Sequence, residues 1–144
     1  KGQQLKTELL NLVDEDTNAF NKIMDAFGLP KNTEEEKLAR SQAIQDATLY
    51  ATEIPLLTMQ KSVACLPLIK EMVKIGNPNS VTDAGVGALC IRTAVYGACL
   101  NVKINAGGLK DKALADKLIN EASALLQHTL SEEIEILKMV DERM

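Results

Sequence analysis

Gly97, Asn101 and Asn105 recur every fourth residue in a largely apolar run. At that spacing they share one face of a helix. A glycine on a packed face lets another backbone come close, and amides beside it must find hydrogen-bond partners if buried. Such a face can line a site for a polar, planar ligand. Upstream, Gly76-Asn77-Pro78-Asn79-Ser80-Val81-Thr82-Asp83 is a tight polar turn leading into the same helix. Ser80 is expected to cap it, with Asp83 three residues on completing a variant of the capping box. Asp83 thus serves either the helix dipole or proton transfer. Asp16 is the second candidate carboxylate. It lies between Leu12 and Phe20 in a stripe of Leu5, Leu9, Leu12, Phe20, Ile23 and Phe27 that is expected to be buried. A carboxylate there is a paired structural acid, a rim residue or a site group, because an unpaired buried charge is costly. Lys31 is a candidate for an anionic ligand, or an ordinary surface lysine.

The elements that must position these residues read as helices throughout. Ala, Leu, Ile, Lys and Glu dominate and aromatics are 3%, which favours helix over strand. A first helix is expected over about 3–27, ended by a left-handed Gly28 and by Pro30. Thr33 with Glu36 reads as a capping box for a second helix, with Glu34 and Glu35 also in its first turn. Pro55 is expected to kink or restart that helix, and Pro67 to bend the stretch 56–75 again. Gly107-Gly108 breaks the chain before a last helix over about 111–143. The expected fold is an all-α antiparallel bundle of long helices in one domain, 1–144.

Composition narrows the function. The 144 residues carry a net charge of −4, which lacks the basic footprint of a nucleic-acid binder. Cys65, Cys90 and Cys99 fall in apolar helical contexts without paired spacing, as reduced core thiols would in a cytoplasmic protein. With one histidine, His128, expected at the surface or rim, a metal site has almost no ligands to draw on. Arg92 and many small residues interrupt the apolar run 84–102, which favours a packed core helix over a membrane span. No nucleophile elbow, phosphate loop or dinucleotide fingerprint appears.

Five short pieces come in one order: Leu12-Val13-Asp14-Glu15-Asp16 leading to Ala19-Phe20; Leu29-Pro30-Lys31-Asn32-Thr33 with Glu35-Glu36-Lys37; Ile54-Pro55-Leu56; Gly76-Asn77 with Asp83; and Gly97-Ala98 with Asn101-Val102-Lys103-Ile104-Asn105. Together they resemble the formimidoyltetrahydrofolate cyclodeaminase family, which includes the cyclodeaminase part of formiminotransferase-cyclodeaminase and bacterial methenyltetrahydrofolate cyclohydrolases. The resemblance covers essentially the whole chain. It departs in one respect: a helical segment carrying Pro-Gly-Gly-Gly-Ser, with which family members begin, has no match here.

The resemblance implies an all-α homodimer or higher oligomer acting in folate one-carbon metabolism, in the context of histidine degradation. A tetrahydrofolate derivative is its substrate, with no metal or prosthetic group, and a formiminotransferase is a possible partner. The implied reaction closes 5-formiminotetrahydrofolate to 5,10-methenyltetrahydrofolate and releases ammonia; relatives add water to interconvert methenyl and 10-formyl folate. Asp83 and Asp16 are then the candidate acid/base groups. Asn77, Asn101 and Asn105 would orient the pterin, and Lys31 and Arg92 would meet the glutamate tail. The alternative from another class is a non-catalytic helical dimerisation or interaction module.

Overall fold

The computed structural model describes residues 1–144 as five α-helices and no strand: α1 (Gly2–Gly28), α2 (Glu34–Val63), α3 (Leu66–Ile75), α4 (Val81–Ala106) and α5 (Lys112–Asp141). A 3₁₀ turn, Pro78–Ser80, precedes α4. The four long helices form the expected all-α bundle, with α3 packed across one end of α4 and α5. Antiparallel order along α1–α2 is fixed by pairs such as Glu15–Tyr50 and Glu8–Lys61. Arg92–Glu133, with Val140 packed against Gly85, does the same for α4–α5.

Helix α2 lies between α1 and α4, and α4 between α2 and α5. A helix flanked on two sides needs apolar residues around its circumference, so neither shows a single stripe. The main core joins Leu56 and Met59 of α2 to Val95, Cys99 and Val102 of α4 and to Leu118 and Ala122 of α5. Leu66 and Val73 of α3 join Val81, Ala88, Ile136 and Val140 in a second cluster.

Helix α1 touches the bundle along a narrower seam than the sequence suggests. Its buried residues are Leu5, Leu12, Ala19 and Ala26, one every seven. That spacing is the two-helix seam with α2. Phe20 and Phe27, expected in the core, are more than half exposed, and Asp16 is exposed beside the seam.

Several expected breaks fall elsewhere. Gly28 is the last residue of α1, and no glycine in the chain has a positive φ. Extended Leu29 and the ring of Pro30 end the helix instead. The Thr33 capping box forms as expected: the Glu36 N–H donates to Thr33 Oγ1 at 3.1 Å and the Thr33 N–H to Glu36 Oε2 at 3.2 Å. Ser80 makes no side-chain cap bond at α4. Asn77 does the capping one turn earlier, where its Oδ1 accepts the Asn79 N–H at 3.0 Å, and the 3₁₀ turn carries the backbone into α4.

The two interior prolines behave in opposite ways. Helix α2 runs through Pro55 without interruption. Pro55 has no N–H for the Ala51 carbonyl four residues back, but Asn105 Nδ2 of α4 donates to that carbonyl at 2.7 Å. Pro67 would orphan the Val63 carbonyl in the same way. The break falls there, at Ala64 and Cys65, and Pro67 opens α3 in its first turn, where no N–H is needed. At the other end of α3, the Arg143 guanidinium donates to the carbonyls of Val73 and Lys74, satisfying orphan acceptors of the last turn.

Of the three thiols, Cys99 is buried, Cys65 half-buried and Cys90 exposed, so Cys90 is not a core residue. Cys90 lies on the outward side of α4, facing away from its partners α2 and α5. His128 is exposed as expected. The span Pro78–Ala106 is long and apolar enough to cross a membrane by length and composition alone. Its α4 portion packs against α2, α3 and α5 as a bundle helix.

Candidate active site

Helices α1 and α4 run side by side over α2 and leave a cleft. Two adjoining cavities occupy it, about 390 and 180 Å³, and both are lined by Asp16 and Asn101. Leu9, Leu12 and Val13 of α1 wall the larger one, with Pro55 of α2 and Ala94 and Ala98 of α4. Phe20, Ala51 and Asn105 contribute to the smaller. Apolar walls with a few convergent polar groups are the usual composition of a small-molecule site.

The local sequence explains the arrangement. Ala94, Ala98, Asn101 and Asn105 follow 4-3-4 spacing along α4, so small residues open the cleft and two amides close it. Asp16 stands one turn after Leu12 and one turn before Phe20. Because α1 buries only its seven-residue seam, Asp16 turns toward the cleft and solvent rather than into the core. Asn105 spends its Nδ2 on the Ala51 carbonyl; its Oδ1 and the whole Asn101 amide remain for a ligand. The hydroxyls of Thr17 and Thr58 donate to carbonyls of their own helices, leaving acceptor lone pairs toward the larger cavity.

The structure gathers Asp16, Asn101 and Asn105 and separates the other candidates from them. Asp83 is exposed in the first turn of α4. Eighteen residues separate it from Asn101, about 27 Å along the helix axis. Asn77 is committed to its 3₁₀ turn. Arg92 pairs with Glu133 at 3.3 Å. Its cavity, shared with Tyr96, Gly97 and Leu100, lies on the outer face of α4. Gly97 is exposed, and a Cβ built on it would meet nothing within 4 Å, so no neighbouring backbone explains it. Lys31 lines a separate cavity at the α1–α2 turn.

Sequence reasoning missed the small-residue wall of α4 and the tie between Asn105 and Pro55. The tie had a signal: a proline inside a helix orphans the carbonyl four residues earlier, and a polar residue on a neighbouring helix must fill it. It also missed the pair on the opposite side of α1, where the Tyr50 hydroxyl donates to Glu15 and Lys22 lies 3.7 Å over the Tyr50 ring centre. The Glu15 carboxylate holds the Tyr50 hydroxyl above its ordinary ionisation range.

The family model described as formiminotransferase-cyclodeaminase matches residues 1–124. The chain is 39% identical over 126 residues to a methenyltetrahydrofolate cyclohydrolase of Methylorubrum extorquens, covering 88% of this chain and 61% of that protein. It is 32% identical over 136 residues to the formimidoyltransferase-cyclodeaminase of Mus musculus, covering 94% of this chain and 25% of that protein. A solved formiminotetrahydrofolate cyclodeaminase from Thermotoga maritima shares the fold, with a TM-score of 0.74 at 20% identity over 98% of this chain and 64% of the other. The chain therefore spans less than two thirds of the length of each.

Proposed function

This chain belongs to the formiminotransferase-cyclodeaminase family, and from that premise we propose that it takes a tetrahydrofolate derivative in the α1–α4 cleft and catalyses a cyclodeaminase reaction. The observation that carries the reading is the meeting of Asp16 with Asn101 and Asn105 between apolar walls. The second folate nitrogen attacks the formimino carbon and forms a tetrahedral adduct. Asp16 accepts a proton from the attacking nitrogen and returns one to the departing ammonia. The methenyl product is a cation, so the same carboxylate stabilises the charge that develops. Asn101 and the free Oδ1 of Asn105 offer a donor and two acceptors to the pterin edge.

Water addition to the methenyl group is the second reading. The 39% identity to a protein named as a cyclohydrolase favours it, and the same carboxylate would activate the water.

A second copy is part of the proposal. A compact monomer of this mass exposes about 7,300 Å², whereas the chain exposes 8656 Å². The excess, about 1,400 Å², is larger than the roughly 800 Å² that one partner contributes to a standard interface. Val86, Leu89, Tyr96, Leu100 and Ile104 form an exposed apolar stripe on α4. Asp83, too far along α4 to reach Asp16 of its own chain, could join the same ligand only from such a copy.

The near-ultraviolet absorbance of the methenyl chromophore tests the chemistry. Its appearance from 5-formiminotetrahydrofolate above the spontaneous rate supports the cyclodeaminase. Accelerated loss of added methenyl folate supports the cyclohydrolase. Silence in both, with no folate binding, overturns the reading in favour of an interaction module.

A further inference from the structure

The cleft is short of hydrogen-bond donors. Its walls come from the interiors of α1, α2 and α4, where each backbone N–H is spent on the helix's own ladder. No lysine, arginine or histidine lines either cavity. The hydroxyl hydrogens of Thr17 and Thr58 go to the carbonyls of Val13 and Ile54, at 3.3 and 3.1 Å. The carboxylate of Asp16 only accepts. Asn101 alone keeps a wholly uncommitted amide nitrogen. Against it stand the oxygens of Asp16, the lone pairs of both threonines and Oδ1 of Asn105.

Whether Asn105 adds to the acceptors or to the donors depends on α2. An asparagine amide turned by half a rotation fills nearly the same space with nitrogen and oxygen exchanged. Here the choice is made by the Ala51 carbonyl, which can only accept. It lacks a helical partner because residue 55 is proline, and Asn105 Nδ2 donates to it at 2.7 Å. The nitrogen is therefore held against α2, and Oδ1 is the amide atom left without a protein partner. Pro55, itself on the wall of the larger cavity, thus fixes the polarity of a side chain on a different helix.

On the folate reading above, we propose that Pro55 is a positioning residue: through Asn105 it makes the cleft selective for a ligand edge rich in N–H groups, the reduced rather than the oxidised pterin ring. A tetrahydropterin carries hydrogen on N8, and on N5 when that nitrogen is unsubstituted. In the oxidised ring both nitrogens present lone pairs. Set against acceptors, those lone pairs leave polar groups unpaired on both sides, which is costly between apolar walls. The 2-amino group and N3–H are the same in both oxidation states, so the pyrazine nitrogens carry the discrimination.

Calorimetric titration of the full chain with tetrahydrofolate, under anaerobic conditions, and with folic acid tests the selectivity. Neither ligand carries a one-carbon unit, so neither turns over. The readout is the ratio of the two affinities, because a folding defect lowers both together and leaves the ratio unchanged. Wild type should favour tetrahydrofolate by at least about tenfold. In Pro55→Ala the Ala51 carbonyl recovers a helical N–H and the Asn105 amide is free to turn. The ratio should then fall by at least about threefold, chiefly because folic acid binds more tightly. Pro55→Ala/Asn105→Asp, which offers oxygen in either orientation, should restore at least the wild-type ratio, and Pro55→Ala/Asn105→Ala should not. Equal affinities in wild type, an unchanged ratio in Pro55→Ala, or equal ratios in the two double variants would each overturn the role of Pro55 while leaving folate binding in place. Binding of neither ligand by wild type overturns the folate reading itself, and the selectivity with it.

Discussion

Asn105→Ala removes the donor that stands in for the missing N–H of Pro55. The Ala51 carbonyl then faces a half-buried gap with no partner in either helix. Leaving such a group unpaired costs about 1–3 kcal/mol. With a urea m-value of about 2 kcal/mol/M, that lowers the unfolding midpoint by about 0.5–1.5 M at unchanged slope. Stability loss alone would not identify the cause, since Asn105 also fills space. Pro55→Ala supplies the control, because alanine restores the N–H that the Ala51 carbonyl lacks. In that background Asn105→Ala should cost well under about 1 kcal/mol, and the double-mutant cycle should give a coupling of about 1–2 kcal/mol. An equal cost of Asn105→Ala in both backgrounds would refute the exchange of a helical bond for a tertiary one. It would also make Asn105 a ligand group that merely happens to touch α2.

Asp16→Asn should cut turnover about 10²–10⁴-fold while leaving the melting temperature within a degree or two; equal loss of fold and activity would return Asp16 to a structural role. If the site is shared between copies, mixing inactive Asp16→Asn and Asp83→Asn chains should restore part of the activity, and no restoration would confine the site to one chain. Leu100→Glu on the exposed α4 stripe should convert an oligomer to monomer by light scattering; an unchanged mass would place the interface elsewhere. Lys70 of α3 reaches Glu132 and Glu135 of α5, both at 2.8 Å; the hydrogen bonds to Glu132 and then Glu135 raise the lysine's pKa, and that from Lys70 lowers the Glu135 carboxyl's. A depressed carboxyl stabilises above its ordinary range and ceases to as pH falls through its folded value. Lys70→Met should therefore lower the melting temperature at neutral pH, by an amount that shrinks as the pH falls below the ordinary carboxylate range; a difference that stays constant with pH would rule out the ion pair as its cause.

Helix content, the number of long helices and the Thr33 cap were determined locally, because propensity and capping depend on residues within a turn of one another. The family, too, is carried by short ordered pieces that need no tertiary context. What the sequence could not settle was which face of each helix is covered. Asp16 lies in a row of leucines and phenylalanines, yet α1 has one neighbour, so a narrow seam suffices and Asp16 and Phe20 stay outside it. Pro55 and Pro67 are the same residue in similar surroundings. One is threaded and the other breaks the chain, because only the first has an amide from a distant helix to answer the carbonyl it orphans. The grouping of Gly97 with Asn101 and Asn105 followed helical period alone. Period fixes angles around an axis, but packing decides which angles face a partner, and α4 turns Ala94 and Ala98 into the cleft and Gly97 out of it. Asp83 and Asp16 look equivalent as carboxylates in family-like motifs, and only the length of α4 puts them apart within one chain.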